Sequence, residues 1–484
     1  MRKRLRTRDI ESDSNHTMTD SKSLTPMLWL VAIGFFMQTL DSTIVNTALP
    51  AMAQSLGELP LRMQSVVISY SLTMAMMIPA SGWLADRLGT RRVYFAAILL
   101  FVLGSLLCAA SHNLTQLVLS RILQGAGGAM LLPVGRLAVL RSFPGDKMVA
   151  AMSFVAIPGL VGPLIGPTLG GWLVVYASWH WIFLINLPVG LIGLSATFFY
   201  MPDHRGPSTR FDLSGYLLLA VGMVTISFAL DGVAELGLEH ATVLVLLILS
   251  LASFTAYGLH AARRADAIFS LALFRIPTYS VGLLGNLFAR IGTGCMPYLI
   301  PLLLQVSLGY SPFQAGLMML PVAAAGMGIK RAVAPLIDRY GYRNVLVGNT
   351  LLVGLVIASF MLMSRGEPLW LRLLQLGVFG GLNSLQFTAM NTLTLKDLGR
   401  DGASSGNSLF SVVQMLAMSL AVTVAGALLT AFHESDGNDP RHTLAAFHWT
   451  FLCVGVITCA SAWIFGQLAD DVRRMGHHDG AADV

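Results

Sequence analysis

Fourteen long apolar runs, separated by short polar segments, constrain the fold of this chain more than any other feature of its sequence. An α-helix needs about 20 mostly apolar residues to cross a hydrocarbon core of about 30 Å. Because 55% of the 484 residues are hydrophobic and only 12% are charged, most of the chain must lie in lipid. The sequence predicts an all-α polytopic membrane protein with fourteen transmembrane helices, near residues 28–50, 62–84, 93–111, 115–140, 148–173, 181–201, 213–231, 242–262, 278–305, 312–336, 344–364, 369–391, 404–431 and 447–467.

The positive charges are distributed unevenly between the two sides of the predicted membrane. With the N-terminus inside, fourteen Lys and Arg residues fall in the inner loops, whereas the outer loops and helix ends hold only Arg62, Arg365, Arg372 and Arg441. Cytoplasmic loops carry such an excess, and an even number of helices places both termini in the cytoplasm. The same distribution accounts for the net charge of +6, so we expect no nucleic-acid partner.

The chain ends and the cysteines indicate neither a cleaved signal peptide nor a disulfide-bonded or metal-binding protein. No apolar stretch follows the basic residues 2–8 until about Met27, so we interpret residues 1–27 as an uncleaved cytoplasmic tail and residues 468–484 as a second tail. All four cysteines lie in predicted helices, where a thiol behaves as a small apolar group. The sequence therefore predicts no disulfide, no metal site and no cofactor.

A short charged signature occurs twice, 252 residues apart. The sequence DRLGTR at residues 86–91 recurs as DRYGYR at residues 338–343, each copy directly after an apolar run. The same offset carries Asp41 close to Arg290, and Arg121 next to Arg372. This spacing predicts two six-helix halves, residues 28–201 and 278–467, with two inserted helices in residues 202–277. Two related halves in one membrane protein are typical of secondary transporters.

Four segments in helices 1, 2, 4 and 5 carry a more specific resemblance. They read LDSTIVNTALP at residues 40–50, GWLADRLGTRR at 82–92, RILQGAGG at 121–128 and GPLIGPTLGG at 162–171. In this order they resemble the signatures of the fourteen-span drug:proton antiporter branch of the major facilitator superfamily, over roughly residues 27–470. Most of that branch has Arg where this chain has His180. The resemblance implies the major facilitator fold and proton-driven multidrug efflux, with antibiotic resistance, across a bacterial inner membrane.

In the resembling branch the fifth helix carries a glycine and proline motif that marks exporters. Glycines spaced by four share one helix face and let a neighbouring backbone approach closely, and the prolines bend the helix. Such a helix can act as a rocking surface between the halves; simple tight packing is the alternative interpretation. The motif residues are Gly162, Pro163, Gly166, Pro167, Gly170 and Gly171.

The two signature loops are predicted to gate the transporter at its cytoplasmic side. Asp86 can face the positive end of a helix in the other half, and the arginines can pair with carboxylates or phospholipid headgroups. Such contacts form in one conformation and break in the other. A positive-inside anchor alone explains the arginines but neither Asp86 nor Gly89. The predicted gating residues are Gly82, Asp86, Arg87, Gly89, Arg91, Asp338, Arg339, Gly341 and Arg343.

Asp41 is the only carboxylate well inside a predicted helix, where a charge is costly. It is our candidate for binding and releasing the coupled proton. The resemblance assigns Arg121 to proton coupling as well, and a nearby cation can set the protonation of a carboxylate. The alternatives are a structural ion pair for Asp41 and hydrogen bonds to backbone carbonyls for Arg121.

Cations in the predicted second half favour a different substrate class. Arg290, Lys330 and Arg331 lie inside predicted helices, and an anionic substrate would neutralise them whereas a lipophilic cation would not. A small organic anion such as citrate, or its metal complex, is therefore the alternative to drug-like compounds. The predicted substrate pathway comprises Gln38, Asn46, Gln124, Arg290, Lys330, Arg331, Asn383 and Gln386.

Other functional classes explain less of the sequence. A membrane-embedded enzyme needs clustered His, Asp or Glu side chains within its helices, and an ATP-driven pump needs a phosphate-binding loop. Neither pattern is present. A channel or a non-transporting sensor leaves the duplicated loop without a purpose. We predict a non-enzymatic antiporter that works as a monomer in the lipid bilayer with protons and a small-molecule substrate. Whether periplasmic accessory proteins take part stays open.

Overall fold

The computed structural model describes the backbone of residues 3–143, 145–206, 211–234, 240–264, 267–398, 400–434 and 440–468, and most side chains in these ranges from residue 25 onward. The described residues form helices joined by short turns, with no strand among them. The α-helices are α1 (Lys3–Leu56), α2 (Gln64–Leu88), α3 (Thr90–Ala109), α4 (Leu114–Ser142), α5 (Gly145–Tyr176), α6 (Trp181–Leu184), α7 (Asn186–Tyr200), α8 (Leu213–Ala234), α9 (His240–Ala262), α10 (Pro277–Gly294), α11 (Met296–Leu302), α12 (Pro312–Met318), α13 (Leu320–Gly328), α14 (Lys330–Ser359), α15 (Leu369–Lys396), α16 (Arg400–Glu434) and α17 (Pro440–Phe465).

Ten helical segments within the described ranges are long and apolar enough to cross a membrane. Two shorter apolar segments, Val161–Tyr176 and Leu213–Ala229, lie in α5 and α8. The predicted all-α membrane class is therefore confirmed. The helix predicted at residues 312–336 forms three pieces instead, α12, α13 and the start of α14. Pro321 at the start of α13 has no N–H to donate to the preceding turn, which accounts for the first of these breaks.

The duplicated signature is visible in the backbone. Gly89 separates α2 from α3 at φ 97° and ψ 144°, and Gly341 interrupts α14 at φ 75° and ψ 160°. Residues that carry a Cβ rarely adopt these angles. Both copies of the signature therefore break a helix at the same position of the repeat.

Helices from the first part of the chain pack against helices from the last part. α2 lies along α16, α5 packs against α12, and α1 contacts α11. The helices α8 and α9 pack on each other, and α8 also contacts α2 and α16. We call the end of the bundle with Gly89 and Gly341 the signature end, and the end with Thr47 and Gln305 the far end.

Two large apolar clusters fill the bundle. The larger one lies toward the far end and joins the first and last parts of the chain through residues such as Ala48, Leu299 and Val422. The second lies toward the signature end, mainly among α1 to α4, and reaches α16 through Leu409 and Phe410. The interface between the two parts of the chain is thus packed most continuously at the far end.

Candidate functional site

The carboxylate of Asp41 lies at the centre of a buried hydrogen-bond network. Asp41 is 0% exposed. Its Oδ2 accepts a hydrogen bond from Nη1 of Arg121 at 2.6 Å. Its Oδ1 accepts from Nε2 of Gln124 at 2.7 Å and from Nδ2 of Asn186 at 3.2 Å. The network joins α1 to α4 and α7, and it brings the two candidates for proton coupling into direct contact.

Arg121 is enclosed as completely as its partner, with 1% of the residue exposed. Its Nε donates to the backbone oxygen of Val66 at 3.2 Å, and Nη1 also donates to Oε1 of Gln124 at 2.7 Å. The guanidinium carbon lies 4.0 Å from the centre of the Tyr70 ring. Because Arg121 and Gln124 are three residues apart on α4, they leave the helix on the same side. Each ion has a charged partner and further hydrogen bonds, as a buried ion pair requires.

Four residues at this network are absent from those predicted from sequence: Ser105, Cys108 and Asn186, which form hydrogen bonds in it, and Tyr70, whose ring lies against Arg121. Ser105 Oγ on α3 accepts from Gln124 at 2.8 Å and from Asn186 at 3.3 Å. Asn186 is the first residue of α7, directly after the one-turn helix α6. A polar amide inside an apolar segment was the available signal for Asn186. Nothing in the sequence marks Ser105, because a serine inside a helix usually bonds to its own backbone.

A small cavity adjoins the network, between helices of the first and last parts of the chain. Among the predicted pathway residues, Asn46 lines this cavity. The Oδ1 atom of Asn46 has no hydrogen-bond partner in the described ranges, and the residue is 6% exposed. Gln38, two turns along α1 toward the signature end, also has an unpartnered side-chain oxygen but does not line the cavity. Gln124 belongs to the Asp41 network described above.

Three glycines of the fifth-helix motif pack against α1, where they form a glycine–threonine seam. The facing pairs, with the distance from a Cβ placed on the glycine to the threonine Oγ1, are Gly162 and Thr39 (2.4 Å), Gly166 and Thr43 (2.2 Å), and Gly170 and Thr47 (2.6 Å). Each threonine hydroxyl donates back to a carbonyl of α1 itself. In this conformation these three glycines therefore join two helices of the predicted first half, and the rocking surface between the halves stays a prediction.

The opposite side of the same motif does contact the last part of the chain. A Cβ on Gly171 would lie 2.2 Å from the backbone oxygen of Pro312 in α12. A Cβ on Gly316 would lie 2.4 Å from the backbone oxygen of Pro167. The hydroxyl of Thr168 donates to the backbone oxygen of Gly316 at 3.1 Å. The backbones of α5 and α12 therefore touch near the far end.

A second contact closes the far end between α1 and the segment after α11. Gln305 lies in a short π-helical turn, Leu303–Ser307, and its Nε2 donates to the backbone oxygen of Thr47 at 3.0 Å. Such turns insert one extra residue per turn and redirect side chains, often at functional sites. In this conformation the far end is sealed by direct contacts.

The first signature loop is tied to its own part of the chain. Asp86 forms an ion pair with Arg141 at the end of α4. Arg91 Nε donates to the backbone oxygen of Met201 at 2.5 Å. The partner of Asp86 is therefore an arginine of the same predicted half, whereas we predicted a helix end in the other half. Arg141 carries a full charge and reaches the carboxylate directly, so it satisfies Asp86 better than a helix dipole can.

Aromatic stacking extends this loop toward the inserted helices. Arg87 lies 5.1 Å from the ring centre of Trp83, and Trp83 lies 4.8 Å from the ring of Phe211, just before α8. A Cβ on Gly89 would lie 2.1 Å from the carboxylate of Asp203, whereas a Cβ on Gly82 would meet nothing within 4 Å. The backbone angles at position 89 and the nearby carboxylate of Asp203 therefore both require a residue without a Cβ.

The second signature loop is more open than the first. Asp338 and Arg339 are exposed, and Arg339 lies 5.4 Å from the ring centre of Tyr340. Within the described part of the chain Asp338 has no ion pair like that of Asp86. Arg343 is half-buried and has contacts of its own. The two copies of the signature therefore differ in how their aspartates are paired.

Arg290 is one of two buried arginines in the described last part of the chain; the other, Arg372, pairs with Glu367. It is 8% exposed, its Nη2 donates to Oδ1 of Asn286 at 3.3 Å, and its guanidinium lies 4.8 Å from the ring centre of Phe387. Its Nε has no hydrogen-bond partner among the residues that the structure describes. No carboxylate in the described ranges lies within ion-pair distance. Arg290 therefore lacks the anionic partner that Arg121 has in Asp41.

The remaining predicted pathway residues differ in exposure and in hydrogen-bond partners. Lys330 and Arg331 have exposed side chains at the start of α14, so of the three predicted cations only Arg290 is buried. Asn383 on α15 is half-buried. Gln386 is 1% exposed and its Nε2 donates to Oγ1 of Thr350 at 2.6 Å. Gln386 therefore links α15 to α14 as an ordinary interhelical contact.

Asp212 anchors the helix pair α8 and α9 outside the membrane-spanning segments. Its Oδ1 accepts from Nε2 of His260 at 2.7 Å, from Nη1 of Arg264 at 3.2 Å and from the backbone N–H of Gly215 at 3.0 Å. Burial alone raises the pKa of Asp212, but the hydrogen bonds from Gly215 and His260 and the charge of Arg264 outweigh it and hold that pKa below its usual range.

His180 occupies a turn between α5 and α6. Its ring stacks on Trp179 with ring centres 3.8 Å apart, and Nδ1 lies 3.2 Å from the hydroxyl of Ser178. Burial and the neighbouring His112 lower the pKa of His180, so the ring is neutral at pH 7. The Arg that most of the resembling branch has here would instead carry a permanent charge.

Comparisons with known proteins agree on one family. Residues 31–422 match the sequence profile of the Major Facilitator Superfamily. Over 460 residues the chain is 52% identical to "Putative multidrug resistance protein MdtD" of Pectobacterium atrosepticum, covering 94% of this chain and 98% of that protein. It is 53% identical over 445 residues to the protein of the same name from Serratia proteamaculans, with 92% and 93% covered.

A solved structure shows the same fold at low identity. The crystal structure of a D-xylose-proton symporter superposes with a TM-score of 0.64 over 92% of this chain and 98% of that one, at 14% identity. The superfamily predicted from the four sequence segments is thereby confirmed, and the homologues are transporters rather than enzymes. The chain belongs to the Major Facilitator Superfamily and is a multi-pass secondary transporter of the membrane.

Proposed function

We propose that this protein is a proton-coupled exporter of the bacterial inner membrane with fourteen transmembrane helices. Fourteen transmembrane helices result from adding four to the ten long apolar segments: the two shorter apolar segments, α15, and α12 with α13 counted as one. In this arrangement residues 28–201 and 278–467 form two six-helix halves, and residues 202–277 contain the inserted α8 and α9. The excess of cations in the loops of the signature end favours a cytoplasmic location for that end, for residues 1–27 and for residues 468–484. The exporter works as a monomer.

Asp41 is the proton-binding group in this proposal, and its complete burial beside Arg121 is the observation that carries it. A proton that binds Oδ2 cancels the charge that Arg121 faces, so Arg121 keeps only the neutral acceptors of Val66 and Gln124. Because the network joins α1, α3, α4 and α7, this change is felt by four helices at once. Protonation can thereby bias the equilibrium between two arrangements of the bundle.

Alternating access determines the direction in which the proton crosses the membrane. The far end is sealed by the contacts of Gln305 and Gly171, whereas Phe387 is 42% exposed and no side chain of α13 is buried. The sealed far end supports substrate entry from the cytoplasmic side in this proposal. Reopening at the far end releases the substrate, and a proton that enters there neutralises Asp41 and accompanies the return. The relatives named for multidrug resistance favour drug-like compounds as substrates.

A small organic anion such as citrate, or its metal complex, is the second candidate substrate. Arg290 carries it, because a buried guanidinium with an unpartnered Nε and no carboxylate nearby in the described ranges is complementary to an anion. A lipophilic cation bound beside Arg290 would instead add like charge at low dielectric.

A pH-sensitive dye in respiring everted vesicles tests both candidates. Ethidium is added to one sample and citrate to another, and proton release from the vesicle lumen is recorded. If the proposal is correct, one of the probes releases protons and Asp41→Asn abolishes this release. Glu58→Gln is the matched control, because Glu58 is a partly exposed carboxylate paired with Arg62 at the far end.

The substrate class follows from a second pair of variants. Release with citrate that disappears in Arg290→Gln but persists in Arg62→Gln identifies an anion exporter, since Arg62 is an exposed arginine. Release with ethidium alone that survives Arg290→Gln identifies a drug exporter. Transport that proceeds without proton release in the wild type contradicts proton coupling altogether.

A further inference from the structure

The hydrogen bond that helps to seal the far end starts from a rare backbone geometry. Gln305 donates to the backbone oxygen of Thr47 from within the π-helical turn Leu303–Ser307. Such turns are rare, and successive side chains of an ordinary α-helix are rotated by about 100° from each other. A change of register by one residue would therefore aim Gln305 away from Thr47. The seal depends on whatever keeps this turn in place.

The π-helical turn ends in a carbonyl that its own helix cannot satisfy. The backbone oxygen of Ser307 would accept from the N–H of residue 311 in an α-helix and from that of residue 312 in a π-helix. The N–H of Ser311 donates to Oε1 of Gln314 instead, and Pro312 has no N–H. Because Ser307 is 5% exposed, its carbonyl needs a partner from elsewhere in the protein.

Arg365 supplies that partner. Its Nε and Nη2 both donate to the backbone oxygen of Ser307, at 3.0 and 2.9 Å. Hydrogen bonds from a charged donor are about twice as strong as neutral ones. Arg365 lies in the segment between α14 and α15, 58 positions away in sequence, so the end of the turn is fixed by a tertiary contact.

Arg372 holds the segments on both sides of this contact. Its Nη1 donates to the hydroxyl of Tyr310, whose own N–H donates to the backbone oxygen of Leu304 in the turn at 2.9 Å. Its Nη2 donates to the backbone oxygens of Ser364 and Arg365, the second at 3.1 Å. Arg372 therefore ties the residues that follow the turn to the segment that carries Arg365.

Glu367 balances the charge of Arg372. Its Oε2 lies 3.5 Å from Nε of Arg372, and the two side chains are 7% and 6% exposed. A buried guanidinium requires such a charged partner. We call Arg365, Glu367 and Arg372 the gate brace. The brace and the turn both belong to the last part of the chain, whereas Thr47 belongs to the first, so opening of the far end breaks the bond of Gln305 and leaves the brace intact.

We propose that the gate brace positions Gln305 so that the far end can close. This inference rests on the alternating access proposed above. The three residues of the brace do not contact Thr47 themselves and act through the π-helical turn, so they are positioning residues of the gate. Without the brace the turn loses its register, and the far end stays open to the outside for a larger share of the time.

The first test measures the turn itself and does not depend on transport. Hydrogen–deuterium exchange is recorded at the amides of Leu308 and Tyr310, which donate to the backbone oxygens of the turn. Arg365→Met, which removes both donors to Ser307, should speed this exchange about tenfold. Arg365→Lys keeps a charged donor and should stay close to the wild type. Arg62→Met is the control, because Arg62 is an exposed arginine at the far end that pairs with Glu58.

The second test measures the closure of the far end. Ser42, which lines the cavity between the two parts of the chain, is changed in Ser42→Cys, in a protein whose four native cysteines are replaced by alanine. A membrane-impermeant methanethiosulfonate is applied from the far side in right-side-out vesicles. Arg365→Met and Gln305→Leu should each speed labelling about tenfold. The double variant should label no more than about twofold faster than Gln305→Leu alone, because both changes remove the same contact.

Three outcomes overturn the inference, and they separate it from the proposed function. Unchanged exchange at Leu308 and Tyr310 in Arg365→Met means that the brace does not hold the turn, and the proposed function is unaffected. Increases in labelling that multiply in the double variant mean that Arg365 acts independently of Gln305. Unchanged labelling in Gln305→Leu removes the far-end seal from the proposed function and the gate brace with it.

Discussion

Asn186 donates a hydrogen bond to the carboxylate of Asp41 at 3.2 Å, across 145 positions of sequence. The bond attaches the first turn of α7 to α1, beside the ion pair between Asp41 and Arg121. It also places a neutral donor on the oxygen that Arg121 does not reach. The hydrogen bonds that Asp41 accepts therefore depend on the position of α7 as well as on that of α4.

Asn186→Ala removes this donor and should slow proton-driven transport about three- to tenfold. Rates of proton-driven transport measured in proteoliposomes check this loss. Ser195→Ala, which changes an exposed serine on the same helix, should match the wild type. A wild-type rate in Asn186→Ala would contradict a role for this bond in coupling.

Gly166→Ala should destabilise the protein by about 1–3 kcal/mol, because the added Cβ falls 2.2 Å from Oγ1 of Thr43 and forces α1 and α5 apart. Removing that hydroxyl in the double variant Gly166→Ala with Thr43→Ala should recover part of the loss. Gly258→Ala on α9, where a Cβ meets nothing within 4 Å, is the control. Thermal unfolding in detergent measures all of them, and additive losses in the double variant would rule out the contact.

The two signature glycines should respond differently to alanine. Both have backbone angles that a Cβ disfavours, by about 1–3 kcal/mol each. Only Gly89 has an additional clash, since its Cβ would lie 2.1 Å from the carboxylate of Asp203. Gly89→Ala should therefore lower the unfolding midpoint more than Gly341→Ala. Equal decreases of the unfolding midpoint in the two variants would show that backbone strain alone accounts for them. If Asp203→Gly raises the midpoint of Gly89→Ala, the contact with Asp203 causes the additional decrease.

Asp212→Asn should lower stability at pH 7 and have little effect in acid. The variant keeps an acceptor for Gly215 but loses the charge that faces His260 and Arg264. Because the folded pKa lies below the ordinary value of 3.8, the charged carboxylate stabilises the fold above pH 3.8, and this contribution disappears as the pH falls through the folded value. Unfolding midpoints of wild type and variant should therefore converge below pH 3.8. A difference between the two unfolding midpoints that does not change with pH would mean that hydrogen-bond geometry, and not the charge of Asp212, stabilises this contact.

Much of the fold could be predicted from the sequence because the bilayer leaves few choices. A hydrocarbon core requires satisfied backbone groups, so apolar runs become helices. The signature at residues 86–91 and its copy at 338–343 located two breaks, since only glycine tolerates those angles. The division of the predicted helix at residues 312–336 was harder to anticipate. Pro321 can bend a membrane helix as readily as break it, and neighbouring helices decide which occurs.

The candidate site could be predicted only in part. Asp41 and Arg121 stand out individually, because a charge inside an apolar run is costly. Their contact depends on how α1 and α4 rotate about their axes, and periodicity does not fix this when a helix is apolar on most sides. Ser105 and Asn186 are neutral residues with ordinary local roles, so their part in the network follows from tertiary packing alone.

The glycine–threonine seam between α1 and α5 repeats every four residues on both helices, and the two helices run in the same direction. A slide of one helix by one repeat, about 6 Å, would bring two of the three facing pairs back into register. Turning either helix by one residue, about 100°, would place side chains with a Cβ where only glycine fits. The spacing of the seam therefore opposes rotation of α1 or α5 about its own axis. It favours sliding of one helix along the other in steps of about one helical turn.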